Sequence, residues 1–169
     1  EISNWSLPGY ESRHNLTYWR NGPFLGVGPG AHSYLHGARF SDIRSPREYA
    51  LRLAADPPEL RANSWPNRLR SLPFVHEVNE IGPSDEMAET MMMGLRLDVG
   101  VSDHDFRKRF GRSLRDAYEP IIAGAHEDGL IEWAEAAGSD GGPGRSLRLT
   151  RHGRLQGNEV FSRFFTGNN

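Results

Sequence analysis

Residues 14–19 read His-Asn-Leu-Thr-Tyr-Trp, and residues 26–33 read Gly-Val-Gly-Pro-Gly-Ala-His-Ser. The imidazole of His14 is a ready metal ligand, and imidazole is also an axial ligand of haem iron. Tyr18 and Trp19 can cover the face of a flat apolar molecule while their polar tips find partners. Together these types suit an iron porphyrin, with His14 on the metal. A plainer reading stands beside it and is the stronger one on residue types alone: a histidine fixing the turn after Arg13, and two aromatics of a core.

Other polar groups point to weaker chemistry. The glycines of 26–33 let ligand atoms approach backbone N–H groups, so Gly28, Gly30, Ala31 and His32 are candidates to line a cavity. The spacing is not that of a dinucleotide-binding loop. His32 and His36 have metal-ligand spacing only on a helix, and the glycines before them argue against one. Asp103 and Asp105 read as helix-capping and solvated groups, not an acid–base pair. Arg145, Arg148, Arg151 and Arg154 make a basic patch that invites a DNA hypothesis. The net charge of -2 opposes it, as does the lack of Lys or Arg between Ala117 and Leu130. The patch could instead meet a partner protein or the carboxylates of a porphyrin.

Around these residues the chain changes character. Residues 1–43 are rich in glycine and aromatics, with strands expected at 1–5 and at Phe24–Val27, the latter buried. Ser45-Pro46-Arg47-Glu48 opens a helix ending near Asp56-Pro57-Pro58. Residues 57–83 read as a linker that packs on its neighbours, with a short strand at 74–78. From Ser84 the pattern turns helical: Met87, Ala88, Met91, Met92 and Leu95 form one stripe and read as core, not as a soft-metal surface. Ser102 and Ser113 cap two further helices. The second places Leu114, Tyr118, Ile121 and Ala125 inward and is kinked or restarted at Pro120. Leu130–Trp133 and Ser146–Leu149 read as paired strands around a flexible tip at 138–144. Thr150 caps a last helix anchored by Val160, Phe161, Phe164 and Phe165. Three helices, a hairpin and a further helix resemble a winged helix.

The 169 residues, 37% of them hydrophobic, allow one ordinary domain or two small ones. The cysteine count of 0 excludes disulfides, thiolate nucleophiles and cysteine-held clusters within this chain. No run is apolar enough to span a bilayer and no signal peptide is evident, so a cytoplasmic protein is the default. Glu1 at the start suggests a piece of something longer, with processing as the alternative.

The stretches Glu1–Trp5, Gly9–Asn15, Tyr18-Trp19 and Gly26–Ser33 resemble the radical S-adenosylmethionine proteins related to oxygen-independent coproporphyrinogen III oxidase, and within them the haem-chaperone branch. Glu86–Leu97, Asp128–Ile131, Leu149–Leu155 and Asn158–Phe161 resemble the C-terminal domain of that family. The resemblance implies an α+β fold: the last strands of an incomplete α/β (TIM-like) barrel in residues 1–56, a linker at 57–83, and a winged-helix-like domain at 84–169. It implies a parent carrying a [4Fe-4S] cluster and S-adenosylmethionine, whose cysteine ligands this chain lacks, so the isolated chain is expected to be inactive as an oxidoreductase. It further implies haem binding by His14, Asn15, Tyr18 and Trp19, with His14 on the iron. The glycine loop then corresponds to the substrate-cavity side, and the partners are haem or porphyrin and a haem-accepting protein. The alternative is a DNA-binding or protein-docking module without catalysis, or a structural remnant with His14 buried. A cut barrel leaves strand edges open, so weak self-association is expected.

Overall fold

The computed structural model describes residues 5–54, 64–137 and 143–166. The chain divides into two compact units, one of residues 1–21 with 83–169 and one of residues 22–82. The strand expected at 1–5 lies mostly outside the described residues, and Trp5 is exposed.

The first unit begins with α1, Arg13–Trp19. Ser12 caps it by accepting from the Asn15 amide, which satisfies one of the donors that a helix start leaves open. None of its 7 residues is buried. His14 therefore lies in the first turn of a short exposed helix, and the expectation of a histidine fixing a turn gives way to this.

The unit of residues 22–82 holds β1 (His32–Leu35), β2 (Ala38–Asp42), α2 (Pro46–Leu53), α3 (Trp65–Ser71) and β3 (Val75–Glu80). The strands form an antiparallel sheet in the order β1-β2-β3, with Tyr34 opposite Arg39 and Phe40 opposite Val78. His36 and Gly37 both have positive φ, +47° and +72°, the backbone of a tight two-residue hairpin turn. Ala38, Phe40 and Leu69 are buried, with Trp65, Leu72, Val75 and Val78 packed on them. Trp65 Nε1 donates to the Leu35 carbonyl at 3.1 Å, tying α3 to the sheet. The linker segment thus contains a helix that its prolines obscure: Pro66 sits in the first turn, where it costs no hydrogen bond. The buried strand expected at Phe24–Val27 is corrected. Only Phe24 pairs, with Tyr34, while Leu25 and Val27 are exposed. The Gly26 amide donates to Ser33 Oγ at 3.0 Å instead of to a neighbouring strand, and pairing stops there.

The first unit resumes with α4 (Pro83–Gly94), β4 (Val101–Ser102), α5 (Asp103–Phe110), α6 (Leu114–Glu127), β5 (Ile131–Ala137), β6 (Pro143–Leu149), α7 (Arg151–Leu155) and α8 (Gly157–Thr166). The sheet is antiparallel in the order β4-β6-β5. Its core joins Met91 of α4 and Leu95 just past its end, Phe106 of α5, Leu114, Tyr118 and Ile122 of α6, Leu147, and Val160 and Phe164 of α8. The Tyr118 and Phe164 rings meet edge to face, 5.1 Å between centroids. Each large side chain buried here stabilises the fold by about 1.5–3 kcal/mol. The methionine stripe is core, as expected. Tyr118 has φ -140° just before Pro120, so α6 is kinked and the helical phase slips: Ile122, not Ile121, is the fully inward residue. The last helix is two helices, and Phe165 is partly exposed where it was expected to anchor. The whole is a mixed α/β fold with two small antiparallel sheets.

Candidate functional site

Helix geometry splits the motif of residues 14–19 into two pairs. Residues four apart share a face, so Tyr18 stands over His14 and Trp19 over Asn15, the second pair rotated by about 100°. Tyr18 Oη lies 3.1 Å from His14 Nε2, and the two rings meet edge to face with centroids 4.8 Å apart. His14 and Asn15 are exposed, whereas Tyr18 and Trp19 are half-buried. Among the described residues the imidazole therefore has one ring beside it, that of Tyr18, and it is exposed.

A helix of 7 residues is too short to be stable alone, so something must hold it. Asn21, just past its end, is buried to 3% exposure with φ +49°, a conformation Asn tolerates better than most residues. Its side-chain amide donates to Thr90 Oγ1 at 3.2 Å and to the Glu86 carbonyl at 3.4 Å, both on α4. Arg109 of α5 adds a bond to the Arg20 carbonyl at 3.3 Å and an ion pair with Glu86 at 2.5 Å. The candidate ligand thus rides on a clasp formed by Asn21, Glu86, Thr90 and Arg109. Sequence reading missed these residues as site elements. The only local signal was the Asn21-Gly22 dipeptide, which marks a turn and not a docking contact.

The glycine loop lies in the other unit. Gly28 and Gly30 adopt φ +111° and +71°, and a Cβ at Gly26 would run into the His32 carbonyl. The amides of Gly26, Gly30 and Ala31 donate inside the protein, to Ser33 Oγ, the Ile43 carbonyl and the Gly28 carbonyl respectively. Those three donors are spent on holding the loop. His32 is exposed on β1 and His36 sits in the hairpin turn. Among the described residues no three histidine or acidic side chains gather as a metal site. Asp42, buried beside this loop at the end of β2, has its carboxyl pushed above the usual range by loss of hydration.

The remaining candidates are structural. Asp103 Oδ1 accepts from the Leu114 amide at 2.7 Å and so joins the start of α5 to that of α6. Asp105 donates its amide to the capping Ser102. The basic patch is largely partnered: Arg145 lies over the Trp133 ring at 4.2 Å, Arg148 pairs with Glu132, and Arg154 pairs with Asp98. Guanidiniums held this way are poorly placed to grip a phosphate backbone. Next to the clasp, a cavity of about 750 Å³ runs between Leu97, Val99, Phe106 and Phe110. Arg20 and Arg109 on its wall are offset by Asp105 and Glu135, so its charge selects no sign of ligand.

Comparison with known proteins places this arrangement. Residues 81–155 match the model of the HemN C-terminal domain. The chain is 34% identical to the heme chaperone HemW of Bacillus subtilis over 97% of its own length and 37% of that protein. It is 32% identical to a HemW of Mycobacterium tuberculosis over 95% of its length and 33% of the relative's. A bovine mitochondrial protein named for its radical S-adenosyl methionine domain is 32% identical over 64% of this chain. The solved coproporphyrinogen III oxidase (HemN) of Escherichia coli aligns over 85% of this chain and 28% of its own, with TM-score 0.49 and 13% identity, too slight a likeness to argue from.

The chain carries a match to the HemN C-terminal domain and is similar to the HemN-like radical S-adenosylmethionine proteins. Within them its similarity is to the proteins named heme chaperone HemW. It spans just over a third of the length of the curated relatives it matches. Among the described residues no helix is long and apolar enough to cross a membrane.

Proposed function

We propose that this chain is the haem-holding part of a HemN-like radical S-adenosylmethionine protein, with His14 as the ligand that takes the iron of its cargo. The observation that carries the reading is an exposed imidazole on α1, flanked by an aromatic ring and anchored to the HemN C-terminal domain, in a chain similar to proteins named heme chaperones. The donor set fits a carried haem: a neutral imidazole supplies the nitrogen and Tyr18 an edge for the macrocycle. Asn15 and Trp19 lie on the adjacent helix face and would meet the macrocycle's rim. Gly28, Gly30, Ala31 and His32 would line a cavity of the intact protein.

The same reading assigns residues 1–56 to the end of the radical S-adenosylmethionine barrel, 57–83 to a connector, and 84–169 to a winged-helix-like domain. Support for the last is the sequence α4-β4-α5-α6-β5-β6 with β6 between the other two strands. The cluster and S-adenosylmethionine belong to other parts of such proteins. With a cysteine count of 0 this chain has no thiolates to hold a cluster, and no step is assigned to one here. The cargo would pass to a haem-accepting protein in the cytoplasm. Open strand edges favour weak self-association at high concentration.

Haemin titration of the whole chain and of His14→Ala tests the proposal. The native chain is expected to give a sharp Soret band of imidazole-ligated haemin that His14→Ala loses, with about a tenfold or greater fall in affinity. Matching spectra and affinities for the two, with far-ultraviolet circular dichroism showing both folded, would overturn it.

A further inference from the structure

The bond between Tyr18 and His14 bears on how such a cargo would be released. A phenol is the stronger proton donor of the two groups, with a pKa near 10, and an imidazole nitrogen is the stronger acceptor. The 3.1 Å contact is therefore best made by Tyr18 Oη–H donating to the lone pair of Nε2, with the ring proton on Nδ1. Nε2 is also the nitrogen an iron porphyrin must use. Nδ1 is bonded to the carbon that carries the side-chain stem, so a macrocycle approaching there is crowded by the residue's own backbone, whereas Nε2 is the ring nitrogen remote from the stem.

We infer that Tyr18 is a competing cap on His14: the phenol proton occupies the one lone pair an incoming iron must take, so the protein binds its cargo less tightly than the bare imidazole would. The edge-to-face contact keeps the Tyr18 ring within reach of Nε2, so the cap re-forms as the iron leaves. Spacing of four residues along α1 makes the two groups neighbours without help from the rest of the fold. Tyr18 is thus a positioning and release residue, not a ligand. The identity of the cargo rests on the haem reading above, but the capped state of the ring does not.

The test uses the whole chain, native and Tyr18→Phe, which keeps the ring and removes only the hydroxyl. Long-range proton–nitrogen spectra of the haem-free protein should show His14 as the Nδ1–H tautomer. Diethyl pyrocarbonate should acylate His14 faster in Tyr18→Phe, read by mass spectrometry of the His14 peptide. With haemin, Tyr18→Phe should bind about two- to tenfold tighter and release to apomyoglobin more slowly by a similar factor, the worth of one net hydrogen bond. An Nε2–H tautomer, an acylation rate that does not change, or weaker haemin binding by Tyr18→Phe would overturn the cap. The two readings fail separately. Haemin binding that is indifferent to His14→Ala defeats the haem assignment, while the tautomer and acylation rate still decide the cap.

Discussion

Two helices of the same unit sit at opposite extremes. α6 buries Leu114, Tyr118, Ile122 and Ala125 and opens with a full capping box between Ser113 and Asp116. α1 buries nothing and carries the candidate ligand. The unit keeps its stability and its chemistry on different elements. The core supplies free energy through packed apolar volume, and α1 borrows order from that core through Asn21 and its partners on α4 and α5. A segment held at one end by a few polar bonds opens locally at less cost than the core unfolds. That suits a site which must admit and release a large flat molecule.

The contrast can be broken from either side. Leu114→Ala removes a fully buried side chain and should cost about 2–5 kcal/mol in global stability by denaturant unfolding, with α1 affected only as far as the whole unit is. Asn21→Ala should cost about 1–3 kcal/mol, because it leaves the Thr90 hydroxyl short of a buried partner and puts alanine at φ +49°. Its signature should be local: hydrogen exchange of α1 amides rises far more than that of α6, and equal acceleration in both would remove the clasp. Arg109→Gln should loosen α1 by at most about 1 kcal/mol, since the pair with Glu86 is partly exposed and salt-screened. Exchange in α1 measured at low and high salt checks it.

The smallest effect is one of pH. The Asp116 carboxylate is held below the usual carboxylate range, chiefly by its hydrogen bonds with Ser113. Because the folded value is the lower one, the contribution is complete above the unfolded carboxylate range and disappears as pH falls through the folded value. Asp116→Asn should flatten the stability profile in that acid window by lowering stability near neutrality, where the carboxylate's contribution is complete, and should match the native chain at low pH. An unaltered acid slope would show that the box carries no proton linkage.

The legible parts of the chain share one property: their signals are local. The caps at Ser45, Ser102, Ser113 and Thr150 depend on residues within three positions, and each appears in the structure. The stripe from Met87 to Leu95 repeats with the period of a helix and is buried accordingly. Where reading failed, a competing contact decided. Phe24–Val27 has strand composition, but Ser33 takes the Gly26 amide and leaves two apolar side chains in solvent. The kink at Tyr118 moves the inward position from Ile121 to Ile122, one residue that periodicity could not resolve. α3 was hidden by prolines that discourage a helix everywhere except at its start.

At the site the division is the same. The residue types of 14–19, and the pairing of His14 with Tyr18 once they are helical, follow from the chain itself, because four-residue spacing is a property of the backbone. That Asn21 reaches across to α4, that Arg109 finds the Arg20 carbonyl, and that the Gly30 amide is taken by the Ile43 carbonyl belong to the tertiary structure alone. Those outcomes depend on which distant groups the folded chain brings within hydrogen-bond reach, and no pattern within a few residues encodes that.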